Sequence, residues 1–366
     1  MAIDKRTAFL MAYIEREFFI PFLSTFFTTT PSDIVNAESV IIEIQRNTRK
    51  IAPVISDLTA RGSIIKKSIY TQKEFKPPVV SLGSVFTAGD LIEKVFGMTQ
   101  YDSAGLDYLA QLQIKIMETM AEIESQIMRS IEFQSSQIFQ NKAIVVLYDD
   151  KGQPAYEIDF KAKDEHFPVV DVNWSDETSD PDIDIANLSK VITKNGRARI
   201  RNLVFGENAY NEYFRNTKIQ DKLNIRRIVS GELDPREVNP DVNYIGNYLI
   251  GNRRYNIWQY EGEYEHPETK ELTPFVDPDK VIFLPDAGAM NVDFRRIFCT
   301  VPSITGTDPR FSELIPMRMN LDNRSYLARV WEEKGADTLN MELKTRPLDI
   351  PVSIDSFGCL TTNSGE

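Results

Sequence analysis

The sequence predicts an α+β fold, and three observations carry that prediction. A single unbroken helical periodicity runs over residues 104–139. Apolar runs paired across Gly-containing turns stand on both sides of it. The rest of the chain alternates strand and helix patterns without a strict βαβ repeat. The composition fits an ordinary globular protein, with 42% hydrophobic and 26% charged residues. At 366 residues the chain corresponds to about two to three units, and it can bury a core without disulfide or metal staples.

Residues 1–45 open with Phe9, Leu10, Tyr13, Ile14, Phe18, Phe19 and Phe22, ahead of the breaker Thr28-Thr29-Thr30-Pro31-Ser32. Exposing so many aromatics would invite aggregation. The segment therefore either docks on its own domain or lies across a neighbouring subunit. In the following stretch, 46–90, the residues Arg46, Arg49, Lys50, Arg61, Lys66, Lys67, Lys73 and Lys76 meet only Asp57 and Glu74 up to position 76, a net of +6. Runs at 51–58 and 63–75, joined near Ala60-Arg61-Gly62, read as a hairpin. A lone hairpin is marginal in water, so it finds its packing elsewhere or remains a solvated basic loop.

Leu106, Leu109, Leu112, Ile116, Met120, Ile123, Ile127 and Ile131 then recur at steps of three and four. That spacing predicts one amphipathic helix over 104–139, about 45–50 Å long at ~1.5 Å per residue. Coiled-coil pairing is the alternative, but the pattern spans too few heptads to force it. Runs at 143–147 and 155–160 around Asp149-Asp150-Lys151-Gly152 predict a hairpin.

Residues 149–184 hold twelve acids against Lys151, Lys161 and Lys163, a net of −9. The alternating carboxylates of Asp180-Pro181-Asp182-Ile183-Asp184 invite a calcium reading. An EF-hand loop, however, needs Gly and Glu where Ile185 and Val191 stand. The motif reads instead as a helix start, with Asp180 as cap, Pro181 in the first turn, and Asp182 and Asp184 facing the positive dipole end. Leu188, Val191 and Ile192 form its buried face and Gly196 closes it. Beyond it the patterns predict a strand at 198–205, a helix at 206–222, and strands at 244–250 and 254–260 paired across Gly251-Asn252. Further strands follow at 280–284, 295–301, 341–348 and 351–354, before a polar tail.

Several chemistries fall away. Cys299 and Cys359 are too few for a disulfide framework or a four-cysteine zinc site. His166 and His266 lie 100 residues apart, outside any zinc-hydrolase spacing. Phosphate loops and nucleophile elbows are absent from the sequence. A net charge of −12 argues against a tight grip on nucleic acid. The greasiest run, 18–23, is far short of a membrane span. Early acids (Asp4, Glu15, Glu17) read against a signal peptide, so a soluble, intracellularly made protein is expected. The adjacent acids Glu332-Glu333 and Asp149-Asp150 read as solvated pairs, and His266 as a surface residue. Trp174, Trp258 and Trp331 read as core or interface anchors. No catalytic residue, cofactor or metal ligand is predicted.

Taken in order, the chain has an aromatic arm, a basic hairpin, a long helix with its hairpin, an acidic turn, a mixed region and a β-rich return. That order resembles the major capsid proteins of tailed bacteriophages, specifically the lambda-like major capsid protein E family. Trp174-Ser175-Asp176, followed by Asp180-Pro181 and Asp184-Ile185, is similar to the start of that family's axial domain. Val204-Phe205-Gly206-Glu207-Asn208-Ala209 resembles its strand-to-helix step, and Phe283-Leu284-Pro285-Asp286 its late strand and turn.

The resemblance implies the Hong Kong 97-type capsid fold. It divides the chain into an N-terminal arm (1–45), an extended loop (46–90), and a peripheral domain (91–165) with spine helix 104–139. An axial domain (166–334) and peripheral return strands with a tail (335–366) complete it. It also implies hexamers and pentamers closing into an icosahedral head around double-stranded DNA, held without sequence preference. Assembly would take place in the host cytoplasm, with a scaffold, a portal and a candidate decoration protein as partners, and no membrane.

The +6 and −9 segments suggest complementary patches between copies, setting register more than strength. Contact candidates are therefore Phe18, Phe19 and Phe22 in the arm, and Arg61, Lys66, Lys67, Lys73 and Lys76 in the loop. Asp149, Asp150, Asp164, Glu165 and Asp176 are their acidic counterparts. The competing readings are an encapsulin-like nanocompartment shell and an acidic hydrolase with an unrecognised carboxylate pair.

Overall fold

A computed structural model of the chain describes residues 19–35, 37, 39–44, 71–87, 108–149, 151–224, 231–289, 292–301, 317–321, 324–333 and 338–363. Its longest element is helix α1, Tyr108–Gln140, of 33 residues, on the predicted span. Ile123, Ile127 and Ile131 are buried along one stripe, as the periodicity requires. Past Ile131 the helix is enclosed on all sides, and Glu132, Gln134, Ser135, Ser136 and Gln137 are buried beside Ile138 and Phe139.

The described residues form three cores, two of which include α1. Along its middle lies a four-stranded antiparallel sheet in the order β15 (Met317–Leu321), β16 (Arg324–Glu333), β17 (Thr338–Thr345), β4 (Val80–Thr87). Phe86, Tyr326, Ala328, Met341 and Leu343 of this sheet pack on Ile123, Ile127, Met128 and Ile131. β16 pairs with β17 and β17 in turn with β4, so residues 317–333 share one sheet with segments from both sides of the span 166–334.

A six-stranded mixed sheet holds the second core. Its order is β19 (Gly358–Thr361), β13 (Lys280–Pro285), β7 (Ile200–Phe205), β10 (Arg253–Tyr260), β9 (Val242–Ile250), β8 (Gly231–Asn239). Helices α2 (Pro181–Gly196), α3 (Glu207–Arg215) and α4 (Thr217–Asn224) accompany it. Ile185, Leu188 and Ile192 of α2 and Tyr213 of α3 meet Leu203, Phe205, Ile257 and Phe283 of the strands.

The third core gathers the arm's Phe22, Leu23 and Phe27 with Ile138 and Phe139 of α1, Phe294, Leu348, Ile350 and Phe357. It lies against the small sheet β1 (Ile34–Val35), β14 (Phe294–Cys299), β18 (Pro347–Pro351). Two-stranded pairs complete the fold: β2 (Val40–Ile44) with β3 (Thr71–Phe75), β5 (Ile144–Tyr148) with β6 (Pro154–Asp159), and β11 (Glu263–Glu265) with β12 (Leu272–Pro274).

The structure corrects several predicted boundaries. The expected helix 206–222 is two helices, because Asn216 is extended (φ −62°, ψ 128°). Its amide side chain then accepts from Lys218 N and donates to Ser179 Oγ, both at 3.0 Å. The predicted strand 341–348 breaks between Thr345 and Pro347, and 351–354 runs into a 3-10 turn, Ile354–Ser356.

The start of α2 is as predicted, with Asp180 accepting from Ile183 N at 3.4 Å and Pro181 in the first turn. Its end differs. Arg197, not a glycine, takes the left-handed position (φ 55°). Gly196 serves close approach instead, since a Cβ there would run into the carbonyl oxygen of Asp355.

Candidate assembly surface

The described end of the arm forms a 3-10 turn, Leu23–Phe26. A turn of this kind leaves its first amides without backbone partners, and a buried carboxylate on α1 supplies the acceptor. Glu132 Oε1 accepts from Phe22 N (3.0 Å) and Leu23 N (2.6 Å), and Oε2 accepts from Ser24 N (2.9 Å). Tyr260 OH adds a fourth donor at 3.2 Å. Burial pushes the Glu132 carboxyl above the ordinary range, opposed by these amide hydrogen bonds.

The other side of the turn is held as well. Arg296 Nη2 donates to the Ser24 carbonyl (3.1 Å), and its guanidinium grips Asp349 in a bidentate pair at 2.6 and 3.0 Å. Ser135 Oγ donates to Asp349 Oδ2 at 2.5 Å, and Asp349 N donates to Gln134 Oε1 at 2.7 Å. Buried charge of this kind is tolerated only when every group is bonded. Around this hub Phe27 stacks on Phe139 (5.3 Å), and Phe22 lies 5.2 Å from Trp258. Burying an apolar side chain of this size contributes about 1.5–3 kcal/mol.

Of the two alternatives for the arm, residues 22–27 take the first and dock on their own subunit. Phe22 belongs to the subunit's own core, because its amide and its ring both find partners there. Phe19 is half-buried, 5.6 Å from Phe275 and under the guanidinium of Arg129. Phe18 lies outside the described residues.

The loop has a comparable root. β2 and β3 pair from Val40↔Phe75 to Ile44↔Thr71, so the hairpin begins earlier than predicted. Lys73 stands opposite Ile42 in that stem. Phe75 packs on Phe160 at 5.5 Å. Tyr156 OH donates to the carbonyl of Lys76, whose side chain is exposed, and Arg346 donates through Nε and Nη2 to the Pro77 carbonyl at 3.2 and 2.9 Å. Arg61, Lys66 and Lys67 lie outside the described residues.

The acids divide into two groups. Asp149 is spent on its own turn, accepting from Lys151 N and Gln153 N. Asp164 pairs with Lys142 at 2.7 Å, and Glu165 accepts from Asn195 at 3.3 Å. Asp176 is exposed and accepts from the amide and hydroxyl of Thr178, which holds its carboxyl below the usual range. Asp150 lies outside the described residues.

Two of the residues singled out in the sequence, Trp174 and His166, go to structural work. Trp174 is buried and donates to Asp184 Oδ2 at 3.1 Å. His166 is buried, with Nδ1 2.9 Å from the Phe357 carbonyl and Nε2 3.0 Å from Asn195 Nδ2. The Glu132 and Asp349 clusters were invisible to sequence reasoning, because their partners lie 53 to 215 positions away.

A fold of α1, its four-stranded sheet, a separate six-stranded sheet and a rooted arm and loop is that of a shell-building subunit, the α+β Hong Kong 97-type capsid fold. Two solved structures show the likeness. One is a protein assigned as the capsid protein of an Escherichia coli CFT073 prophage, at TM-score 0.57 and 15% identity, covering 81% of this chain and 80% of that one. The other is from the capsid asymmetric unit of cyanophage A-1(L), at TM-score 0.53 and 10% identity, covering 98% of each chain. No curated protein matches the chain. Residues 7–359 match the phage major capsid protein E family, and the chain belongs to it. It is a capsid shell protein.

Proposed function

We propose that copies of this chain form hexamers and pentamers that close into an icosahedral head around double-stranded DNA, assembled in the host cytoplasm with a scaffold and a portal. In this reading 1–45 is the arm, 46–90 the extended loop, 91–165 with 335–366 the peripheral domain, and 166–334 the axial domain. The observation that carries it is the pair of roots. The turn at 22–27 and the stem at 71–77 are each fixed by buried hydrogen bonds and ring packing. Between the ends of that stem, residues 45–70 carry six basic residues against Asp57 alone. A two-stranded ribbon gains too little from its own contacts to stand as a folded unit, so a neighbour's surface is its natural packing partner.

The net charge of −12 suits a container that must not hold its DNA tightly, because each phosphate contact would raise affinity. The chain does no chemistry of its own in this role.

Expression of the full chain, followed by sedimentation and negative-stain imaging, tests the reading. Closed shells or five- and six-fold rings are expected. A monodisperse monomer would overturn it, and particles filled with an enzyme cargo in place of DNA would favour a nanocompartment.

A further inference from the structure

We propose that the face built by residues 168–184 is where a second copy of this chain seats its basic segment 46–70, an inference that rests on the shell assembly above. The face is rigid. Val170 N donates to the Thr361 carbonyl (3.0 Å), Thr361 N to Pro168 (3.1 Å), and Trp174 N to Thr362 (3.2 Å), which laces the segment to β19. The bond from Trp174 to Asp184 then fixes the first turn of α2 to the same surface. The charges of Asp180 and Asp171 both act on the Asp184 carboxyl, after burial, to raise it, so these three acids share one neighbourhood.

Its outer surface is both greasy and acidic. Val169, Val172 and Ile183 are 53%, 42% and 55% exposed, an unusual concentration of bare branched aliphatics within fifteen positions. Asp171, Asp176 and Glu177 are exposed beside them, with Asp180 and Asp184 half-buried. Residues 168–184 contain no Lys or Arg. Asp182 alone of their acids is paired with a cation among the described residues, by Lys222 at 2.6 Å.

The occupant follows from complementarity. Segment 46–70 carries six basic residues against Asp57, a net of +5, and interleaves its cations with Ile51, Val54, Ile55, Leu58, Ile64, Ile65 and Ile69. A surface of carboxylates and aliphatics fits a segment of cations and aliphatics, and repels nucleic acid. A homo-oligomer also supplies one such segment for every such face.

The test uses assembled wild-type particles made from equal parts heavy-nitrogen-labelled and unlabelled chain. A zero-length carbodiimide reagent joins only carboxylates and amines already in contact. Cross-linked peptides of mixed isotope joining Lys66 or Lys67 to Asp171, Asp176 or Glu177 are expected. Intact particles whose lysines join other carboxylates, or only same-isotope pairs, would overturn the docking face. As a second arm, Asp171→Lys with Glu177→Lys should cut particle yield about tenfold, with recovery on adding Lys66→Glu and Lys67→Glu. The melting temperature of the variant subunits should stay unchanged, since both acids are exposed. Wild-type yield from the double variant would also overturn the proposal. Failure of the wild type to form any multimer would instead sink the shell reading, and the docking face with it.

Discussion

Glu132 and His166 show how single buried ionisable groups in this subunit act in opposite directions with pH. Replacing Glu132 by Ala leaves the amides of Phe22, Leu23 and Ser24 without their acceptor. Each such buried donor costs roughly 1–3 kcal/mol, so Glu132→Ala is expected to lower unfolding stability by about 3 kcal/mol or more. Denaturant titration of the subunit checks this, and a loss under ~1 kcal/mol would show that the turn re-bonds elsewhere.

His166 has neutral-form partners on both nitrogens, Nδ1 donating to the Phe357 carbonyl and Nε2 accepting from Asn195. Burial, the largest cause, lowers its affinity for a proton below the ordinary 6.5. The unfolded chain therefore binds that proton first. Stability is lost as pH falls below about 6.5, with a slope of at most ~1.4 kcal/mol per pH unit. His166→Gln should flatten that segment of the curve. Glu132 has the opposite sign: its carboxyl is raised by burial, so its contribution is full below the ordinary carboxylate value and shrinks as pH rises through the raised one. None of this was legible in the sequence. Glu132 sits one position past the apolar stripe, and its reason for being inside is a turn 109 residues away.

At the scale of elements, local signals were readable where local physics decides. The stripe Ile123, Ile127, Ile131 gives α1, and the cap Asp180 with Pro181 gives the start of α2. Gly251, at φ +62° in open space, gives the turn between β9 and β10. The misplaced ends share one cause, which is packing against distant chain. Gly196 reads as a helix stop but is needed because the 353–356 segment presses on it, with the Asp355 carbonyl in the path of a built Cβ and Ser356 Cα 2.8 Å from it.

Two substitutions separate these roles. Gly196→Ala must push backbone aside and should cost about 1–3 kcal/mol, as overpacking does. Gly251→Ala meets nothing and pays only for its positive φ, about 1 kcal/mol. Thermal unfolding of both variants checks the order, and equal losses would mean that the 353–356 segment yields to the added methyl with little strain. The break at Asn216 follows the same logic, since no period in 206–222 announces a residue whose side chain reaches Ser179.

For the whole molecule, two kinds of force are separated in space. The roots of arm and loop are held by apolar burial and fully bonded buried groups, which salt scarcely touches. The surfaces assigned to neighbours combine net +5 on residues 46–70 with net −6 on residues 168–184. Exposed pairs contribute only about 0.2–1 kcal/mol each, and the screening length shrinks from about 10 Å at 0.1 M salt to about 3 Å at 1 M. One contact of that strength would decide nothing, but a closed shell repeats it at every interface, so small changes multiply through the assembly. Raising salt should therefore increase the subunit concentration needed for shells to appear while leaving the subunit's own denaturation midpoint in place. Light scattering across a salt series, paired with unfolding of unassembled subunit, reads both quantities. If the denaturation midpoint fell as the threshold for shells rose, the charge pattern would be holding the fold as well as the lattice. If neither moved, the aliphatic residues between the charges, such as Val172 and Ile183, would be carrying the contact by themselves.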